Sequence, residues 1–240
     1  MRYFFFLLLG TSLIISSEET RIKPDTSFVV MQLFTSQGCS SCPAADVLAE
    51  EIKKEYNDKN VMILSYHVTY WDRLGWKDPF GKKEYTEMQY AYATKFKERR
   101  VYTPQIVVNG KEHFIGSDEY ILRKKVKQYL RKRTTNTVQL NSTKKGNQLE
   151  VTFKVNGEIK DKKVVLALVL DKETTQVRHG ENAHKNLSNS NIVIVQKEHS
   201  LQKSQGNMKI DIPKKYSNMR LITFVQDEQL NITGGNQIKI

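Results

Sequence analysis

Hydrophobic residues follow two different patterns along the chain, and the change between them lies close to residue 138. In the first part, residues 27–34 and 60–68 are apolar, β-branched and aromatic without strict alternation, which predicts two buried strands. Between these strands, apolar residues recur at intervals of three and four after Pro43, and this spacing predicts a helix. A strand, a helix and a strand of these lengths indicate a right-handed parallel crossover unit.

Further elements complete the first part. Thr86 is placed to cap a helix that runs to about residue 99, and two short strands, 105–108 and 113–115, are joined by a turn at Asn109-Gly110. Ser117 can cap a last helix with one apolar and one basic face. We interpret the basic face as solvated and keep an anion-binding site as the alternative; its residues are Arg123, Lys124, Lys127 and Arg131.

After residue 138 the helical spacing disappears and apolar residues alternate with polar ones. Residues 149–155, 163–170, 192–195, 208–212 and 219–225 form a series of short predicted strands. About a hundred residues of such strands predict an antiparallel β-sandwich, separated from the first part by the polar segment 133–137.

The beginning of the chain has the features of a secretory signal peptide. A cationic start at Arg2 is followed by an apolar run that ends at Ser16 and Ser17. The run is shorter than the roughly 20 residues that cross a bilayer, although an uncleaved membrane anchor is the alternative. We therefore expect a periplasmic or secreted protein that is not stably inserted in a membrane.

Composition and charge narrow the class of protein. The 240 residues are 39% hydrophobic, which excludes a disordered tail or a fibrous repeat. The formal charge of +12 favours anionic partners through long-range attraction. No zinc-finger, basic-zipper or RNA-binding motif accompanies the lysines, so we do not expect a nucleic-acid partner.

Both cysteines of the chain lie between the first predicted strand and the first predicted helix, in the motif Cys39-Ser40-Ser41-Cys42. A cysteine at a helix N-terminus lies near unpaired N–H groups and the positive end of the helix dipole, which stabilise its thiolate. Cys39 is thus the candidate nucleophile and Cys42 the candidate resolving thiol. A purely structural disulfide is the alternative.

A metal site is not expected. The chain has no second cysteine pair, and the C-terminal set His179, Glu181 and His184 has no recognised ligand geometry.

The predicted strand order brings a second motif to the same edge of the sheet. The first two strands run parallel and end near Cys39 and His67, so an antiparallel third strand, which follows Thr103-Pro104, begins at that edge. Pro104 should therefore face the cysteines. An ordinary trans proline in a turn is the alternative.

Three sequence blocks give the chain a family resemblance. They are Gln32-Leu33-Phe34-Thr35-Ser36-Gln37-Gly38-Cys39-Ser40-Ser41-Cys42-Pro43, His67-Val68-Thr69-Tyr70-Trp71-Asp72-Arg73-Leu74-Gly75-Trp76 and Tyr102-Thr103-Pro104-Gln105. Together with Gly180-Glu181-Asn182-Ala183 and Phe224-Val225-Gln226-Asp227, they resemble the secreted bacterial thioredoxin-like family named domain of unknown function 1223. The resemblance covers nearly all of the chain after the signal peptide.

The resemblance implies a thioredoxin-like fold and roles for particular residues. It implies a cis peptide bond at Thr103-Pro104, which leaves the Thr103 backbone free to pair with an extended substrate. Trp71 either covers the site and contacts substrate or packs within its own loop. Members of the family often carry an acid at the position of Gln32; His67 is the candidate proton relay in its place, or else a core histidine.

These observations predict a signal peptide over 1–17, an α/β thioredoxin-like domain over 18–133 and an all-β sandwich-like domain over 138–240. The predicted function is exported thiol–disulfide oxidoreductase, acting on protein thiols or disulfides through Cys39 and Cys42 and needing no cofactor. The alternative is a non-catalytic binding protein of the cell envelope with a structural disulfide. The sequence does not indicate the oligomeric state.

Overall fold

The computed structural model describes residues 27–56 and 60–240, so the predicted signal peptide lies outside the described residues. The first part of this region contains four strands, three α-helices and a short 3₁₀ turn at Asp72–Leu74. In chain order the α-helices and strands are β1 (Val29–Thr35), α1 (Cys42–Glu55), β2 (Val61–His67), α2 (Lys83–Phe96), β3 (Gln105–Val108), β4 (Glu112–Ile115) and α3 (Glu119–Leu130).

The remainder of the described chain is built of strands. They are β5 (Thr137–Lys145), β6 (Gln148–Asn156), β7 (Lys162–Gln176), β8 (Asn186–Ser200), β9 (Gln205–Asp211), β10 (Met219–Asp227) and β11 (Ile232–Lys239). Within residues 27–56 and 60–240, no helix is long and apolar enough to cross a membrane.

Eight strands form one mixed sheet in the order β11-β10-β7-β8-β2-β1-β3-β4, and β5, β6 and β9 form a separate three-stranded sheet. β1 pairs parallel with β2 and antiparallel with β3, as the sequence predicts. β8 joins the other edge of β2 in parallel, with Ser65 opposite Ile192. The pairs β7–β8, β7–β10 and β10–β11 are antiparallel.

The prediction of a separate sandwich after residue 138 requires correction. The short antiparallel strands are present, but β7, β8, β10 and β11 extend the sheet begun by β1–β4. The free edge of β2 explains the difference, because an unpaired edge exposes backbone N–H and C=O groups that β8 satisfies. The small sheet packs its apolar side on this extension, so the sandwich shares its larger layer with the first part of the chain.

Both faces of the central part of the large sheet are covered, which explains why β1, β2 and β3 are buried along their whole length without alternation. α1 and α3 pack on one face of β1–β3, through residues such as Met31, Leu48 and Leu122. α2 packs on the opposite face, where Tyr85 and Tyr92 contact an apolar cluster that includes residues of β7, β8 and β10. The first and second parts of the chain therefore share a core.

Two helix starts differ from the sequence prediction. α2 begins at Lys83, so Thr86 lies inside the helix, where its Oγ1 accepts a 2.9 Å hydrogen bond from the N–H of Thr69. α3 is capped by Asp118, whose carboxylate accepts from the N–H of Ile121 at 2.9 Å, rather than by Ser117. Asp118 thus satisfies an N–H group in the first turn of α3, whereas the N-cap residue of α2, Lys82, makes no side-chain cap.

Candidate functional site

A disulfide joins Cys39 to Cys42 at the N-terminus of α1, with 5.4 Å between the two Cα atoms. β1 ends at Thr35, and the loop that follows turns into α1, whose first residue is Cys42. The N–H of Cys39 donates to the carbonyl of Ser36 at 3.2 Å, which closes this loop tightly. Pro43 occupies the first turn of the helix, where its missing N–H leaves no hydrogen bond unmade.

Thr103 lies beside the disulfide, as the predicted strand order requires. The Sγ atom of Cys39 is 3.9 Å from the carbonyl oxygen of Thr103 and 3.4 Å from Oγ of Ser41. A disulfide sulfur carries no proton, so the Ser41 hydroxyl is the donor of this second pair. The Thr103-Pro104 peptide bond is cis, which confirms the expectation from the family resemblance.

Trp71 covers the disulfide loop from the side of β2. Its indole Nε1 donates to Oγ1 of Thr103 at 2.8 Å, and its Cβ lies 3.0 Å from where a Cβ on Gly38 would be. Both cysteines are completely buried, with 0% of their surface exposed, whereas Ser40 and Ser41 are exposed. Oxidised Cys39 is thus as inaccessible as Cys42.

A buried ion pair lies at the end of β2. Nδ1 of His67 is 2.8 Å from Oδ2 of Asp78, and both side chains have 0% exposure. Burial opposes the charged imidazole, but Asp78, and less strongly Asp46, raise the pKa of His67 above its usual value. Burial likewise opposes ionisation of Asp78, yet His67 and the N–H groups of Gln37 and Phe80 hold the pKa of Asp78 below its usual value.

Asp46 is a second buried carboxyl, on α1 one turn after Cys42. Its Oδ2 accepts from Oγ1 of Thr35 at 3.2 Å, while Oδ1 has no hydrogen-bond partner among the described residues. Burial raises the pKa of Asp46 to about 6, although the nearby His67 acts in the opposite direction. Nε2 of His67 also lacks a partner in the described part of the chain. A group with this pKa can exchange a proton near neutral pH.

A loop of the second part of the chain also contacts the disulfide turn. Nδ2 of the buried Asn182 donates to the carbonyl oxygens of Gln37 at 3.0 Å and Cys39 at 2.9 Å. A carboxylate oxygen of Glu181 accepts from the N–H of Ser40 at 2.9 Å. The side chains of His179, Glu181 and His184 form no metal-binding group, and residues 27–56 and 60–240 contain no set of three or more such ligands.

Gln32 points away from the disulfide. It lies on the face of β1 that α2 covers, and its Oε1 accepts from the hydroxyl of Tyr92 at 2.5 Å. An acid at this position would therefore contact α2, so its absence does not remove a proton acceptor from the cysteines.

The structure brings Cys39, Cys42, Thr103 and Trp71 together, and Pro104 follows Thr103 in the chain. His67 lies deeper, and no direct contact links it to either sulfur atom among the described residues. Sequence analysis missed Asp46, although an acid between Ala45 and Leu48 on the apolar side of a predicted helix is a usable signal. Asn182 lies in the family block Gly180-Glu181-Asn182-Ala183, but nothing local in the sequence connects that block to the cysteines.

Comparisons with known proteins agree with the motifs. The family described as "Protein of unknown function (DUF1223)" matches residues 30–226, so the chain belongs to this family and the predicted resemblance is confirmed. No curated protein matches the chain.

Solved structures include one with a similar overall fold. The crystal structure of protein AGR_C_4864 from Agrobacterium tumefaciens shares 28% identity, covers 88% of this chain and 93% of its own, and has a TM-score of 0.65. A DUF3823 family protein from Bacteroides ovatus has 15% identity, coverage of 45% and 54%, and a TM-score of 0.31. At that TM-score the second similarity does not bear on the fold.

Proposed function

We propose that this chain is an exported thiol–disulfide oxidoreductase with a thioredoxin-like first part, acting on protein thiols or disulfides through Cys39 and Cys42. The arrangement of Cys39 and Cys42 carries the proposal: Cys39 lies in the turn before α1 beside the Thr103 carbonyl, Cys42 is the first residue of α1, and the buried carboxyl of Asp46 follows one turn later. The strand order β2-β1-β3-β4, with the cysteines after β1, supports the thioredoxin-like assignment.

The chemistry is a pair of thiol–disulfide exchanges. In the reducing direction, the Cys39 thiolate attacks a substrate disulfide, forms a mixed disulfide and releases the first substrate thiolate. The Cys42 thiol then loses its proton and attacks Sγ of Cys39, which restores the Cys39–Cys42 disulfide and releases the second substrate thiolate. The oxidising direction is the reverse, and in it a substrate dithiol supplies both electrons.

Asp46 is the candidate acceptor for the Cys42 proton. Residues four apart lie on one face of a helix, so the carboxyl and the thiol share a side of α1. With a pKa raised to about 6, Asp46 can accept this proton near neutral pH and return it in the reverse step. The His67–Asp78 pair lies close enough to influence the charge of Asp46, which gives His67 an indirect part.

A structural disulfide is the second candidate, and one observation favours it. Both cysteines are 0% exposed, whereas the attacking thiolate of an exchange reaction must reach its partner. Activity therefore requires the Trp71 side chain or the loop around Asn182 to move away from Cys39.

Trapping of mixed disulfides separates the two candidates. Cys42→Ser leaves the proposed nucleophile without its resolving thiol, and Cys39→Ser is the matched control. We expect Cys42→Ser to accumulate mixed disulfides with oxidised glutathione and with a test protein that carries scrambled disulfides, and Cys39→Ser to accumulate few. Equal trapping by both variants, or none by either, would favour the structural disulfide.

Export is a separate part of the proposal and rests on residues 1–17. Determination of the N-terminus of the protein recovered outside the cytoplasm tests it. We expect a start close to Glu18; an intact N-terminus in the cytoplasmic fraction would contradict export.

A further inference from the structure

Side chains of the segment between β7 and β8 bind backbone groups of the disulfide turn. Asn182 is completely buried, and its Nδ2 donates to the carbonyl oxygens of Gln37 and Cys39. The Oδ1 atom of Asn182 in turn accepts from Nζ of Lys185 at 3.0 Å, which fixes the orientation of the amide. Because Asn182 anchors the segment, the neighbouring Glu181 carboxylate is placed next to the turn that carries Cys39.

We propose that Glu181 is a positioning residue that opposes formation of the Cys39 thiolate and so keeps the Cys39–Cys42 couple more reducing. This proposal rests on the oxidoreductase function proposed above. It assigns to the second part of the chain a direct influence on the chemistry of the first.

The physical reason is that the Glu181 carboxylate and a Cys39 thiolate would both be stabilised by the positive potential at the N-terminus of α1. N–H groups near the N-terminus of a helix stabilise a cysteine thiolate, and the helix dipole adds to this effect. The Glu181 carboxylate accepts from the Ser40 N–H and brings a negative charge to the residue that follows Cys39. A thiolate at Cys39 would lie beside this charge, whereas the disulfide carries none. The oxidised state is therefore favoured by Glu181.

Glu181 is ionised under the relevant conditions. Hydrogen bonds from the Ser40 hydroxyl and N–H, with Arg73 nearby, hold the pKa of Glu181 below its usual value. Other ionisable groups around the turn include Lys185, which bonds to Asn182, Asp72 in the loop after β2, Asp46 on α1 and the His67–Asp78 pair. The hydrogen bonds of these groups go to residues other than Glu181, so a change at Glu181 leaves those bonds in place.

The matched variants are Glu181→Gln, Glu181→Asp and Glu228→Gln. Glutamine keeps the acceptor oxygen and removes the charge, while aspartate keeps the charge. Glu228 is an exposed carboxylate in the turn between β10 and β11. That turn packs on Gly110, at the end of β3 farther from Thr103, so Glu228→Gln makes the same charge change away from the cysteines.

Equilibration with glutathione measures the potential, and the pH dependence of alkylation measures the Cys39 thiolate in the reduced protein. We expect Glu181→Gln to shift the glutathione equilibrium two- to fivefold toward the reduced form, about 9 to 21 mV by the two-electron relation. Its alkylation curve should move to lower pH. The effect is modest because Glu181 is exposed, and it should shrink in about 1 M salt, where screening extends over only about 3 Å.

The glutathione equilibrium and the alkylation curve of Glu181→Asp should stay close to those of the native protein. Those of Glu228→Gln should not differ from the native values. If Glu181→Gln matches Glu228→Gln in both measurements, the proposal is wrong. Failure of the proposed function has a different signature: the native protein would not exchange with glutathione at all. The alkylation curve of protein reduced chemically would still decide whether Glu181 opposes the thiolate.

Discussion

The indole N–H of Trp71 and Oγ1 of Thr103 form a 2.8 Å hydrogen bond that closes the structure over Cys39. Trp71 follows β2 and Thr103 precedes β3, so the bond joins the two loops on either side of the disulfide. Its position explains why Cys39 has no exposed surface even though the serines next to it are exposed.

Loss of this bond should make the disulfide easier to reach. A side-chain hydrogen bond contributes about 1 kcal/mol, so its removal should increase opening of the loops about fivefold. We expect Trp71→Phe to be reduced by dithiothreitol about five times faster than the native protein, and Trp71→Ala faster still. Trp76→Phe is the control, since Nε1 of Trp76 bonds to Gln37 at 3.2 Å and not to Thr103. Unchanged rates in Trp71→Ala would show that another element limits access.

Asp46 should make the stability of the protein dependent on pH. Its folded-state pKa of about 6 lies above the ordinary 3.8, so the folded state binds the proton more tightly. Stability from this group is present below about pH 4 and is lost as the pH rises to about 6, on the order of 3 kcal/mol in total. Urea unfolding of the oxidised protein measures this change. The free energy of unfolding of Asp46→Asn should increase relative to that of the native protein between pH 4 and pH 7.5. A constant difference across this range would contradict the raised pKa.

Removal of His67 should destabilise the fold strongly, because it leaves the buried Asp78 carboxylate without its cationic partner. The loss from breaking a buried pair in this way is about 3 to 5 kcal/mol. We expect His67→Gln to lower the urea midpoint clearly at pH 6, whereas His179→Gln, at an exposed position, should leave it nearly unchanged. Similar midpoints for the two variants would show that the N–H groups of Gln37 and Phe80 stabilise Asp78 sufficiently.

A fragment that ends at residue 133 should not unfold cooperatively by itself. In the whole chain, Tyr66 and Tyr85 pack in the same cluster as Val165, Val169 and Val193 of the later strands. The fragment would expose this apolar surface and the free edge of β2. Circular dichroism during heating and binding of a hydrophobic dye test the expectation. A sharp transition without dye binding would show instead that the first part is an independent domain.

A measured redox potential should separate a catalytic pair from a structural one. The helix N-terminus and the Ser41 hydroxyl favour a Cys39 thiolate, while Glu181 opposes it. We expect a value in the range of roughly −250 to −150 mV, between thioredoxin and the strongest oxidants. A value below about −300 mV, where stable structural disulfides lie, would instead support the second candidate function.

Local features of the site could be predicted from the sequence because each depends on neighbouring residues. Apolar spacing after Pro43 predicts α1, and the position of Cys39 and Cys42 at its start follows from that spacing alone. The crossover rule predicts the parallel pair β1–β2, and the Asn109-Gly110 turn predicts the hairpin β3–β4. An antiparallel third strand on this pair begins at the edge where β1 ends, so Thr103 lies beside the cysteines.

The tertiary structure decided what depends on residues far apart in the chain. Whether the later strands form their own sandwich or extend the first sheet depends on which edge pairs with which, and β2 pairs with β8 across more than a hundred residues. The contacts of Glu181 and Asn182 with the disulfide turn follow from that pairing, because the segment that carries them ends where β8 begins. Spacing identifies a cysteine pair, but its burial and neighbouring charges depend on packing between distant segments.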